Sequence, residues 1–151
     1  MKILKYILSS CLCLTPVKIF ADILPNTVAV GQEAAMAELI TLINQARINA
    51  AVGDLITKGE LTCTAQTHAQ DIGGKRLCQV NPSDGSSPWD VAVKCGTTAN
   101  GMIVGCGYQN PKATVQGWLG RQDTKDVLLN PAYKYLGVSM VNNFWVLYLG
   151  F

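Results

Sequence analysis

The chain has a single histidine, His68, and no C-x-x-C pair, no G-x-G-x-x-G loop and no lysine at a Walker position. Each lack removes a class of function. One imidazole cannot supply the paired ligands or the base-and-orienter arrangement of a metal or acid–base centre. Without a glycine-rich loop opening a helix there is no phosphate cradle. Gly101, Gly105 and Gly107 are instead read as permitting close backbone approach around a strand. Ser86 and Ser87 sit in no nucleophile-elbow pattern, so serine hydrolase chemistry has little support. Basic clusters are missing too, which argues against nucleic acid and anionic membrane surfaces as partners.

What is present begins with MKILKYILSSCLCLTPVKIFA. Lysines at 2 and 5 precede a short apolar run from Tyr6 to Val17, and Ala21 has Ile19 two residues before it. This is the grammar of a secretory signal, and the run is too short to span a bilayer. Cleavage is expected after Ala21. Leu8-Ser9-Ser10-Cys11 also resembles a lipidation box, but it would leave too little chain for both a charged start and an apolar core. Lys2, Lys5 and Lys18 leave with the signal, so nine basic residues then face ten acids and the mature net charge is −1. No later run has membrane-spanning length, and the product is expected to be secreted or periplasmic.

Length allows one domain. The expected organisation is a signal over 1–21, an N-terminal linker over 22–31 and a folded domain over 32–151. Four cysteines stay in the mature chain: Cys63, Cys78, Cys95 and Cys106. An even number in an exported domain favours disulfides over zinc, since the spacings are wide. Three pairings are possible. Cys63–Cys78 with Cys95–Cys106 is favoured here because each closes a short loop, although spacing does not settle connectivity.

Helical spacing runs from about Gln32 to Ala51 through Met36, Leu39, Ile40, Ile43, Ala46 and Ala50, with Gly53 as a stop. A second helix is expected from about Leu61 to Ile72, ended by Gly73-Gly74. Turn signals fill residues 75–107. Pro111 suits the first turn of a helix carried by Val115, Trp118 and Leu119. From Trp118 to Pro131 the pattern reads as helix end, polar loop and approach to a strand. Tyr135–Val141, Asn142-Asn143 and Phe144–Leu149 read as an antiparallel hairpin, with Met102–Cys106 as a third strand. The fold class is α+β, a sheet covered by helices.

Four stretches then carry a resemblance. Leu42-Ile43-Asn44-Gln45-Ala46-Arg47, Ala65-Gln66-Thr67-His68-Ala69-Gln70-Asp71, Asp84-Gly85-Ser86-Ser87-Pro88-Trp89-Asp90, and Leu129-Asn130-Pro131 leading through Leu136-Gly137-Val138 to Trp145 stand in order. In sequence and spacing they resemble the bacterial branch of the CAP superfamily, the cysteine-rich secretory, antigen 5 and pathogenesis-related-1 type domain. The resemblance covers about Glu33 to Phe151 and implies an α-β-α sandwich with a small antiparallel sheet and a cleft on one side.

Members of that family often line the cleft with two histidines and two acids, which in some hold a divalent metal. By the resemblance those positions fall here at Val80, Met102, Arg121 and Thr124. None keeps the family's residue type, so no metal, cofactor or catalytic residue is expected. His68 stands mid-helix, as in relatives, away from the cleft, and is read as a packing or hydrogen-bonding residue. Asp84 is read as making the turn before Gly85, and Asp90 as capping a short helix after Pro88. Trp118 and Trp145 read as core, while Trp89, in a loop beside the cleft, is the candidate ligand contact. The expected function is an exported, non-catalytic domain binding a protein or a small apolar ligand of the lipid or sterol class. A secreted hydrolase or peptidase and a structural envelope protein are the alternatives.

Overall fold

The computed structural model describes residues 23–151. The signal and its cleavage point, with Cys11 and Cys13, lie outside the described residues. The elements in order are α1 (Ile23–Asn49), β1 (Ile56–Thr57), α2 (Gly59–Lys75), α3 (Pro88–Lys94), β2 (Gly101–Cys106), α4 (Pro111–Leu119), α5 (Gln122–Leu128), β3 (Tyr135–Val141) and β4 (Phe144–Gly150).

The strands form one sheet in the order β1-β3-β4-β2, antiparallel except for the β1–β3 pair. Alternation along β4 builds both layers, because successive side chains leave a strand on opposite faces. Val146 and Tyr148 pack with Leu61, Ala65, Ala69 and Ile72 of α2. Trp145, Leu147 and Leu149 pack with Leu39 and Ile43 of α1, Val115 and Trp118 of α4, and Leu128 of α5. Both faces are therefore covered by helices, giving the α-β-α sandwich. Trp118 and Trp145 are buried, as core residues should be.

The hairpin forms with the expected register, Val141 opposite Phe144. Asn142 and Asn143 both take positive φ, 51° and 65°, as a two-residue turn matched to strand twist requires. Ser87 caps α3 and Asp90 completes the capping box by accepting from the Ser87 N–H. Asp84 accepts from the Ser86 N–H across Gly85, at φ 80°.

Several boundaries differ from expectation. Helix α1 starts at Ile23, within the segment expected as linker, and stops at Asn49, with Ala51 left-handed at φ 57°. Helix α2 runs through Gly73-Gly74 to Lys75, and Arg76 provides the left-handed cap. Gly73 marks close packing instead of a helix end: a Cβ there would lie 2.5 Å from the Val141 carbonyl oxygen. The polar stretch after Trp118 forms α5, too short for periodicity to reveal and anchored by fully buried Leu128. Strand β1 is a two-residue pairing held by Ile56 N–H to the Lys134 carbonyl and Lys58 N–H to that of Leu136, each 2.9 Å.

The disulfides are Cys63–Cys95 and Cys78–Cys106, with Cα atoms 5.9 Å apart in each. The expected Cys63–Cys78 and Cys95–Cys106 pairs are therefore wrong, and regular structure explains why. Cys63 lies near the start of α2 and Cys78 beyond its end, so the intervening helix alone separates them by about 18 Å at 1.5 Å per residue. A disulfide spans far less. Cys95 caps the end of α3, which packs against α2, and so comes beside Cys63. Cys106 closes β2 on the side where the chain leaves α2.

Candidate functional site

Strand β2 stands at an edge of the sheet, and α5 packs near it. Between them and the segment after α2 lies a cleft of about 320 Å³, lined by Cys78, Gln79, Val80, Met102, Ile103, Val104, Arg121, Asp123, Thr124 and Val127. Val80, Met102, Arg121 and Thr124, distant in sequence, thus meet at one surface depression. Three elements bring them there: the Cys78–Cys106 disulfide fixes the chain around Val80, β2 carries Met102, and the α4–α5 junction carries Arg121 and Thr124.

The chemistry available is limited. Arg121 reaches Asp123 through two N–H donors, at 3.2 and 2.7 Å, and both side chains are exposed. That pairing lowers the Asp123 pKa and raises that of Arg121, so neither changes charge near neutral pH. Thr124 Oγ1 donates to the Trp118 carbonyl at 2.6 Å and to the Arg121 carbonyl at 3.2 Å. Its hydroxyl thereby satisfies the Trp118 carbonyl left over at the end of α4. The other lining groups are mainly hydrocarbon and sulfur. Among the described residues, no group of three or more His, Cys, Asp or Glu is placed to hold a metal ion.

Trp89 does not join this cleft. It sits in the first turn of α3, not in a loop, 44% exposed and absent from the cleft lining. Sequence reasoning also passed over Ile103, Val104 and Val127 as cleft residues. An alternating edge strand does not reveal which residues stand against a groove, so no local signal singled them out.

The polar residues of the first motif hold loops. Arg47 is fully buried, and its guanidinium donates to the carbonyls of Gly53 (2.7 Å), Leu128 (2.8 Å), Asn130 (3.0 Å) and Tyr133 (3.3 Å). Burial lowers its pKa, with Asp54 acting in the opposite sense. Asn44 pairs with Leu55 like a strand neighbour, donating to its carbonyl at 3.0 Å and accepting its N–H at 2.9 Å. His68 is buried on α2 against Tyr148, away from the cleft.

A family model described as the cysteine-rich secretory protein family, CAP, matches residues 40–148. The chain belongs to the CAP family. Solved structures agree on the fold. An extracellular protein containing an SCP domain from Bacillus anthracis superposes with a TM-score of 0.74 at 18% identity, covering 78% of this chain and 40% of that one. An outer surface protein from Borrelia burgdorferi gives 0.68 at 22% identity, covering 77% and 92%. A cysteine-rich secretory protein from Staphylococcus aureus gives 0.66 at 15%, covering 78% and 38%. This CAP chain thus spans well under half of the Bacillus and Staphylococcus proteins but nearly all of the Borrelia one. No curated protein sequence matches it. No helix among the described residues is long and apolar enough to cross a membrane.

Proposed function

We propose that this CAP domain binds without catalysing, taking a small apolar ligand or an apolar side chain of a partner protein into the cleft beside β2. The observation that carries this reading is the lining itself. Val80, Met102, Ile103, Val104 and Val127 supply the apolar surface. The charged groups present, Arg121 and Asp123, are paired with each other. General acid–base catalysis needs a group of suitable pKa within reach of the substrate, and neither meets that need. Burying hydrocarbon against such a surface is favourable at about 25 cal/mol per Å².

The protein acts outside the cytoplasm on this reading. The signal-like first segment and the paired cysteines support it. So does the likeness to the Bacillus and Borrelia proteins, an extracellular and an outer surface protein.

An organic extract of the purified, folded protein, with titration of a fluorescent fatty acid, tests the site. Val80 is 58% exposed, so Val80→Glu places a charge at the rim without disturbing the core. We expect the variant to weaken probe binding at least about tenfold. Binding unaffected by Val80→Glu would move the ligand elsewhere, for example to the groove between α1 and α4 lined by Leu42, Ala46, Val115 and Leu119. No extracted compound and no probe binding would remove the apolar-ligand reading.

A further inference from the structure

Two of the sequence motifs play no part in the cleft, and they meet elsewhere. The α2 motif brings His68 and Asp71, and the turn that follows Pro82 brings Ser83, Asp84 and Ser86, to a cavity of about 270 Å³. The junction is held by Asp71, whose carboxylate accepts the Ser83 N–H at 2.6 Å, the Ser83 hydroxyl at 2.5 Å and the Lys75 ammonium at 2.7 Å. Burial works against the Asp71 charge, but these donors outweigh it and hold its pKa down at about 2.

Beside this saturated carboxylate lies an unsaturated imidazole. His68 is 1% exposed. Its Nδ1 is 2.8 Å from the Tyr148 hydroxyl, which donates its own proton to the Pro88 carbonyl at 3.1 Å. A carbonyl only accepts, so the tyrosine proton is committed and Nδ1 must be the donor to its oxygen. The ring is thereby fixed as the Nδ1–H tautomer, and Nε2 presents a lone pair. That Nε2 is buried with no partner, and the same is true of the Ser86 hydroxyl on the same cavity. The Ser86 hydroxyl lies near enough to Asp84 to help lower that pKa, but makes no hydrogen bond of normal geometry. A buried acceptor without a donor is costly, and native structures rarely leave one so.

We propose that this cavity is a hydroxyl-binding site, in which a guest O–H donates to His68 Nε2 and the Ser86 hydroxyl is the guest's second partner. The guest chemistry is that of water or of a small polyol. Neutral imidazole is the form this requires, and burial favours it.

Long-range proton–nitrogen NMR of the isotope-labelled protein is the test. The expected result is a proton on Nδ1 and an Nε2 resonance displaced from the bare-acceptor position toward the hydrogen-bonded one. Cross-relaxation from water to the His68 ring then identifies resident water, whereas a saturable Nε2 shift on adding glycerol identifies a polyol. Ser86→Ala should move the Nε2 resonance back toward the bare position while the backbone spectrum stays folded. A proton on Nε2, or a bare Nε2 in the wild-type chain, overturns the site without needing any variant. A hydrogen-bonded Nε2 with neither water contact nor glycerol response means that Ser86 itself closes onto the ring, and overturns the guest. An unchanged Nε2 in folded Ser86→Ala removes Ser86 from the site.

Discussion

The cleft beside β2 and the polar joints behind it treat hydrogen-bonding capacity in opposite ways. The cleft holds Val80, Met102, an arginine paired to its neighbour, and a threonine turned back onto the Trp118 carbonyl. In the joints, polar side chains are committed: buried Arg47 to four carbonyls, half-buried Asp71 to three donors. The same domain pins its loops with polar groups and lines its cleft largely with Val80, Met102, Ile103, Val104 and Val127. A polar residue in a CAP motif is thus as readily a structural pin as a functional group, and only its partners tell which.

The sharpest way to break that contrast is Arg47→Met, which keeps much of the side chain's volume but strands four buried or half-buried carbonyls. A loss of about 3–5 kcal/mol in urea unfolding is expected, since each buried carbonyl left without its donor costs about 1–3 kcal/mol. A loss below about 1 kcal/mol would make Arg47 dispensable to the loops.

Replacing Cys63 and Cys95 together by alanine should cost about 3–4 kcal/mol by the loop-entropy model, for a sequence separation of 32. Non-reducing peptide mapping of the wild type should recover Cys63 with Cys95 and Cys78 with Cys106. A Cys63–Cys78 peptide would contradict the helix that lies between them.

Titration separates two groups on α2, buried His68 and half-buried Asp71. The His68 pKa is depressed by burial, with Asp71 opposing, so its contribution to stability is fully present above the unfolded value of about 6.5. It is lost as pH falls from there through the folded value. The slope is at most about 1.4 kcal/mol per pH unit for one proton. Asp71, also depressed, gives a second loss only as pH falls from about 4 toward about 2. Urea midpoints measured against pH should show both windows, and His68→Gln should erase the first alone.

The smallest effect belongs to the cleft. Thr124→Val should cost about 1 kcal/mol, the net worth of the hydroxyl's bond to Trp118. A neutral result would show the cleft threonine to be free of the structural task assigned to it.

Much of the scaffold was legible in the chain. The hairpin register followed from alternation and the Asn142-Asn143 turn, and a capped helix after Pro88 was expected, though with Asp90 as the cap where Ser87 takes that place. The buried Trp118 and Trp145 followed from pattern. What escaped was set by packing. Helix α5 is held by Leu128, and β1 by a neighbour far along the chain. Gly73 reads as a stop signal, yet it marks where α2 passes close to Val141.

The sequence by itself determined the family and the α+β class, because order, spacing and residue type are local properties of the chain. Cysteine connectivity and the partners of Arg47, Asp71 and His68 were decided only by tertiary structure. The physical reason is that these contacts join atoms whose distance depends on whole helices and strands lying between them. A helix keeps Cys63 from Cys78 although few residues intervene, and the sheet brings Tyr148 to His68 across a sequence separation of 80.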